Sequence, residues 1–105
     1  MTHQEAINLA VQRLVASAHP TKVILFGSYA RGQATEDSDL DLLVVERNVA
    51  SKLHEMVRLR EAVGSIGIPV DILVYSEQEL AEWGHLPGTT LYWALKEGKV
   101  LYEAA

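Results

Sequence analysis

A chain of 105 residues, 49% hydrophobic and 22% charged, is sized and composed for a single globular domain, residues 1–105. It contains no cysteine, which excludes disulfide frameworks, thiol chemistry and cysteine-type zinc sites. Its formal net charge of −5 argues against broad binding to a nucleic-acid backbone, and there is no run of about 18 apolar residues to cross a membrane.

The first residues carry Glu5, Gln12 and Arg13 among apolar neighbours, unlike a signal peptide, so the expectation is a cytoplasmic protein with no membrane and no direct nucleic-acid partner. Thr2-His3-Gln4-Glu5 is a capping box that opens a helix through about Ala18, with Ile7, Val11, Leu14 and Val15 on its apolar face. Pro20 separates it from an apolar strand, Val23-Ile24-Leu25-Phe26, which runs into Gly27. Ser28 is placed to cap a short helix through Tyr29, Ala30 and Arg31. A polar connection then leads into a second strand, Asp39 to Val45. Ser51 caps a second long helix bearing Leu53, Met56, Val57, Arg60 and Val63, which Gly64 to Gly67 break. Pro69 to Tyr75 reads as a third strand, and Ser76-Glu77-Gln78-Glu79 is another capping box opening a short helix near Trp83. Pro87-Gly88 interrupts it. A last helix from about Thr89 carries Leu91, Tyr92, Ala94 and Leu95 and stops at Gly98, and Val100 to Tyr102 adds a short edge strand. The class is α/β or α+β: a small mixed sheet with flanking helices.

The chemistry concentrates between Gly27 and Asp41. Gly27 ends a strand where a missing Cβ permits a sharp turn and lets backbone N–H groups approach a ligand. A helix start just after it presents unpaired N–H groups that favour phosphate. Asp39 and Asp41 are two apart, so in a strand both carboxylates point one way while Leu40 and Leu42 point into a core. Adjacent carboxylates resist ionisation unless a cation lies between them, and Mg²⁺ is the hard ion that takes a few carboxylates plus phosphate oxygens. Asp71 breaks the apolar run of the third strand and faces away from Val70, Ile72 and Val74. If that strand lies beside the second, three aspartates converge, a set able to hold two metals for an in-line displacement.

Several other features have plainer readings. Gly27-x-x-x-x-Gly32-Gln33-Ala34 lacks the Lys and Ser/Thr of a P-loop. Glu36 and Asp37 read as a solvated loop. Arg31 is balanced between pairing with a nearby acid and touching phosphate. His54-Glu55-Met56-Val57-Arg58 starts like a zinc-protease helix, but Arg stands where the second His belongs, so it reads as a surface helix. Tyr92, Trp93 and Trp83 read first as a partly buried aromatic pair closing the core and second as a docking surface. No base-reading motif is apparent.

Gly27-Ser28, ten residues, then Asp39-x-Asp41, with a later strand aspartate, resembles the polymerase-β-type nucleotidyltransferase superfamily. The wording Gly-Ser-Tyr-Ala-Arg-Gly and Ser38-Asp39-Leu40-Asp41-Leu42, on so short a chain, resembles the minimal nucleotidyltransferases that serve as antitoxins to helical HEPN toxins. The resemblance implies a nucleotidyltransferase palm in which Gly27, Ser28 and Arg31 bind the nucleotide. Asp39, Asp41 and Asp71 would bind two Mg²⁺ ions and carry catalysis. The implied reaction moves AMP from ATP to a tyrosine hydroxyl of a HEPN toxin, with which the chain forms a hetero-oligomer. Two alternatives stay open: an antitoxin acting by occlusion alone, and transfer to a small-molecule acceptor.

Overall fold

Alternation along the strands decides the layers. Leu40, Leu42 and Val44 point to one side of the second strand, Leu43 and Val45 to the other, and all five are fully buried. A strand buried on both faces belongs in the middle of a sheet with helices on either side. The computed structural model, which describes residues 2–104, has that arrangement. Its elements are α1 (His3–Ala18), β1 (Lys22–Phe26), β2 (Leu40–Glu46), α2 (Lys52–Val63), β3 (Val70–Ser76), α3 (Glu77–Trp83), α4 (Thr90–Glu97) and β4 (Lys99–Glu103). The sheet order is β3-β2-β1-β4. β1 runs antiparallel to both neighbours, whereas β2 and β3 are parallel, with α2 as the crossover that a parallel pair requires.

The mixed sheet expected from the sequence is therefore present, and the caps explain its helix starts. The Thr2 hydroxyl accepts from the Glu5 N–H at 3.1 Å, and Glu5 Oε1 accepts from the Thr2 N–H at 2.9 Å. Ser76 and Glu79 repeat the exchange at 3.2 and 3.1 Å. α1 and α2 pack on one face of the sheet through Ala10, Leu14, Leu59 and Val63. α4 packs on the other through Leu91 and Ala94, against Ile24, Leu43 and Val45.

α2 buries Leu59 and Val63, while Leu53 and Val57 are 69% and 50% exposed. Position 57 lies about 200° around the helix from 59, so one apolar stripe faces the core and the other faces out. Tyr92 and Trp93 form a partly buried T-shaped pair at 5.1 Å, and Trp83 and Trp93 are each about half exposed, because α3 and α4 are short and lie over only part of their face.

Candidate active site

Phe26 ends β1 directly opposite Asp41 of β2. Gly27 follows with φ +75°, in the left-handed region. A Cβ placed on it would lie 2.1 Å from Asp41 Oδ2 and 3.0 Å from Asp41 Cγ. The position therefore demands glycine for its backbone conformation and also for the room it leaves to a carboxylate. The Gly27 carbonyl accepts from the N–H groups of Ala30 at 3.1 Å and Arg31 at 3.2 Å, and the Ser28 carbonyl accepts from Gln33 at 2.9 Å. This is a single turn and not the short helix expected after Ser28. Gly27, not Ser28, occupies the cap position. Gly32, with φ +71°, turns the chain away before a second turn can form. Ala30, 6% exposed, anchors the turn in the α1–α2 core.

Asp39 stands one residue before β2, and Asp41 is the second residue of that strand. Asp41 is half-buried, on the same face as Leu43 and Val45. Asp71 is exposed on β3 and in register with Asp41, on a neighbouring strand about 4.8 Å away. Ile72 and Val74 turn the opposite way, into the α1–α2 core. The Asp41 carboxyl is held above the usual carboxylate range, first by burial, then by the charges of Asp71 and Asp39, with Arg31 opposing them. Arg31 pairs with acids: its Nη1 lies 3.7 Å from Glu97 Oε2, both side chains being half exposed, and its charge reaches Asp41. The fold thus gathers Gly27, Ser28, Arg31, Asp39, Asp41 and Asp71 at one end of the sheet.

Residues 5–97 match the Nucleotidyltransferase domain family. The chain belongs to that family. It is 35% identical, over 77% of its own length and 77% of the other's, to a protein of Methanocaldococcus jannaschii provisionally named a protein adenylyltransferase. The chain spans about half the length of several other curated relatives that it matches. Among solved structures it resembles one provisionally described as a minimal nucleotidyltransferase, at 34% identity, covering 94% of this chain and 98% of that one, with a TM-score of 0.59. It shares its fold with a toxin–antitoxin structure solved with AMP-PNP, at 21% identity, 92% and 73% coverage and a TM-score of 0.61.

The acidic end of this nucleotidyltransferase domain suits a hard cation without being a finished cage. Among the described residues, no three His, Asp or Glu side chains already stand together as a metal-chelating group. Carboxylate oxygens are nevertheless the donors Mg²⁺ selects, and its remaining positions are ordinarily filled by water and substrate phosphates. The raised Asp41 carboxyl is the electrostatic cost that such a cation would relieve. A cavity of about 370 Å³ opens from the Gly27 turn toward α4, bounded by Phe26, Arg31, Thr90, Trp93 and Glu97. A larger one, about 520 Å³, lies at the other end of the sheet by Lys22, Val45 and His85, and none of the aspartates borders it.

The sequence reading does not single out Glu46, which ends β2. It is 9% exposed, on the α1–α2 side, and its Oε2 has no hydrogen-bond partner. Burial, and then the adjoining Glu55 carboxyl, push its pKa up to about 8. Glu55 is held well below the usual range by its hydrogen bonds to Arg58, at 2.7 Å to both oxygens. The signal was available: 46 continues the 40, 42, 44 series that points into the core.

Proposed function

We propose that this chain transfers AMP from ATP to a protein hydroxyl. The observation that carries the reading is the fit of the Gly27 turn against Asp41, with Asp71 in register beside it. In a nucleotidyltransferase domain, backbone N–H groups of that turn meet phosphate oxygens, and Ser28 and Arg31 add a hydroxyl and a positive charge. Asp39, Asp41 and Asp71 are the residues that would hold Mg²⁺, two ions in this reading. When bound, Mg²⁺ neutralises the triphosphate and favours departure of pyrophosphate. The protein's own work is positioning: the turn fixes the β- and γ-phosphates, which leaves the α-phosphorus facing the aspartates. The acceptor oxygen forms a bond to that phosphorus as the bond to the bridging oxygen breaks. Pyrophosphate leaves, and the hydroxyl proton passes to the Asp71 carboxylate or to water.

The names of the relatives support a protein acceptor, and the toxin–antitoxin structure with AMP-PNP supports ATP and a toxin partner. The resemblance narrows the partner to a HEPN toxin and the acceptor to its tyrosine. A tyrosine hydroxyl, with a reference pKa of about 10, needs such activation at neutral pH. The test is intact-mass spectrometry of the toxin after incubation with this chain, ATP and Mg²⁺. A gain of about 329 Da per transferred AMP is expected, together with its loss in Asp71→Asn. A toxin silenced without a change in mass would replace transfer by occlusion.

A further inference from the structure

The turn and the aspartates account for the phosphates but leave the base of the nucleotide unheld. We propose that the cavity between the Gly27 turn and α4 holds that base, stacked on the indole of Trp93. This deepens the nucleotidyl-transfer reading and rests on it.

Three observations converge on the cavity. First, it is continuous with the phosphate end. Gly27 and Arg31 form one wall, and Gly27 is the residue that packs on Asp41. A triphosphate seated on the turn therefore has its nucleoside within reach of the opposite wall, which is α4. Second, its lining has the chemistry of a base: two aromatics, Phe26 and Trp93, with Ala94 between apolar surfaces, and the polar groups of Thr90 and Glu97 at the rim. At about 370 Å³ it sits in the lower part of the size range of small-ligand sites, roughly 300–1,000 Å³. Third, Trp93 is 48% exposed, although its neighbours Leu91 and Ala94 are buried. Tyr92 makes a T-shaped contact with it at 5.1 Å and Lys96 Nζ lies 5.7 Å from its ring centroid, and about half of the indole still remains open. A rigid, accessible π-face beside a phosphate-binding turn is what a nucleotide base stacks on. Glu97 belongs to the same wall and pairs with Arg31, also a lining residue, at 3.7 Å.

The reading explains why the sequence shows no base-recognition motif. A stacking platform needs one aromatic on the right turn of one helix and no pattern around it.

The test separates base from phosphate. On a Trp83→Phe background, Trp93 is the sole indole and its fluorescence reports the cavity. Mg–ATP should quench it, and Mg–tripolyphosphate, which has the phosphates without the base, should not. By calorimetry, Trp93→Ala should weaken Mg–ATP about tenfold, leave Mg–tripolyphosphate unchanged, and be largely rescued in Trp93→Phe. ATP binding that leaves Trp93 emission and Trp93→Ala affinity unaltered overturns the base site while transfer stands. An equal loss for ATP and tripolyphosphate also overturns it, by making Trp93 a structural residue. If neither ligand binds the parent protein, the transfer reading fails and the base site with it.

Discussion

Gly27→Ala isolates the contact on which the site is built. Left-handed backbone costs a residue with a Cβ about 1–2 kcal/mol relative to glycine. The substitution meets that cost at φ +75° and adds an overlap, because the new methyl would lie 2.1 Å from Asp41 Oδ2. The carboxylate must swing away, since Asp41 Cγ at 3.0 Å is also too near. In a domain of this size such a loss lowers the melting temperature by roughly 5–15 °C. Binding of Mg–ATP should fall at least tenfold, about 1.4 kcal/mol, because the metal-side carboxylate no longer faces the phosphates. A double-mutant cycle with Asp41→Ala isolates the overlap: without the carboxylate, Gly27→Ala retains only its backbone cost. Urea denaturation of the four proteins should give a coupling above about 0.5 kcal/mol. A coupling near zero, with wild-type ATP affinity in Gly27→Ala, would refute the argument that this glycine exists to seat Asp41 beside a ligand.

Asp39→Asn and Asp41→Asn should each abolish incorporation of labelled AMP while the circular dichroism spectrum stays native; near-normal incorporation in both would remove them from the chemistry. Because the folded-state pKa of Asp41 is raised, its contribution to stability is lost as pH rises through that value, so metal-free Asp41→Asn should melt at or above the parent temperature at pH 7. Glu46 gives a second pH signature. Its pKa is raised from 4.5 to about 8, so its contribution is complete below the lower value and is lost progressively as pH climbs to the upper one. Urea midpoints of the parent should drop between about pH 5 and 8, and Glu46→Gln, which keeps a donor toward Glu55, should flatten that drop. A parallel decline in both proteins would show that Glu46 is not the source of the pH dependence. Ser28→Ala should weaken ATP use about tenfold through the lost phosphate contact, with almost no change in melting temperature, since Gly27 caps the turn. A large fall in melting temperature would restore Ser28 as the cap.

How much of this was legible in the sequence depended on the range of the interaction. The helix starts at Thr2 and Ser76 were readable because a capping box closes within four residues. The orientation of Asp71 was readable because a carboxylate at alternate spacing from Ile72 and Val74 must face away from their core. That β3 lies beside β2 was only a condition in the sequence, since a parallel pairing leaves no local mark; the register of Asp41 with Asp71 comes from the fold. The turn at 28–31 was misread as a helix because Ser28 has the propensity of a cap, while the carbonyl of Gly27 takes the bonds. On α2 two apolar stripes were present, and packing on α1 and β3 chose Leu59 and Val63. Arg31 meeting Glu97 was hidden for the same reason, as its partner lies near the other end of the chain.

β3 is an outermost strand, hydrogen-bonded within the sheet to β2 alone, and Asp71 is delivered by it. Strand edges open by local fluctuation more readily than the middle of a sheet. The acidic end therefore has two parts of unequal persistence. Gly27 and Asp41 face each other across the β1–β2 ladder and outlast most openings, whereas Asp71 is absent whenever β3 frays. In the proposed reaction, a nucleotide waits on the lasting part while the displacement chemistry is incomplete. On the proposed reading, a partner docked on the outer flank of β3 completes it, and amide exchange along Val70–Ser76 gauges how often all three aspartates stand together.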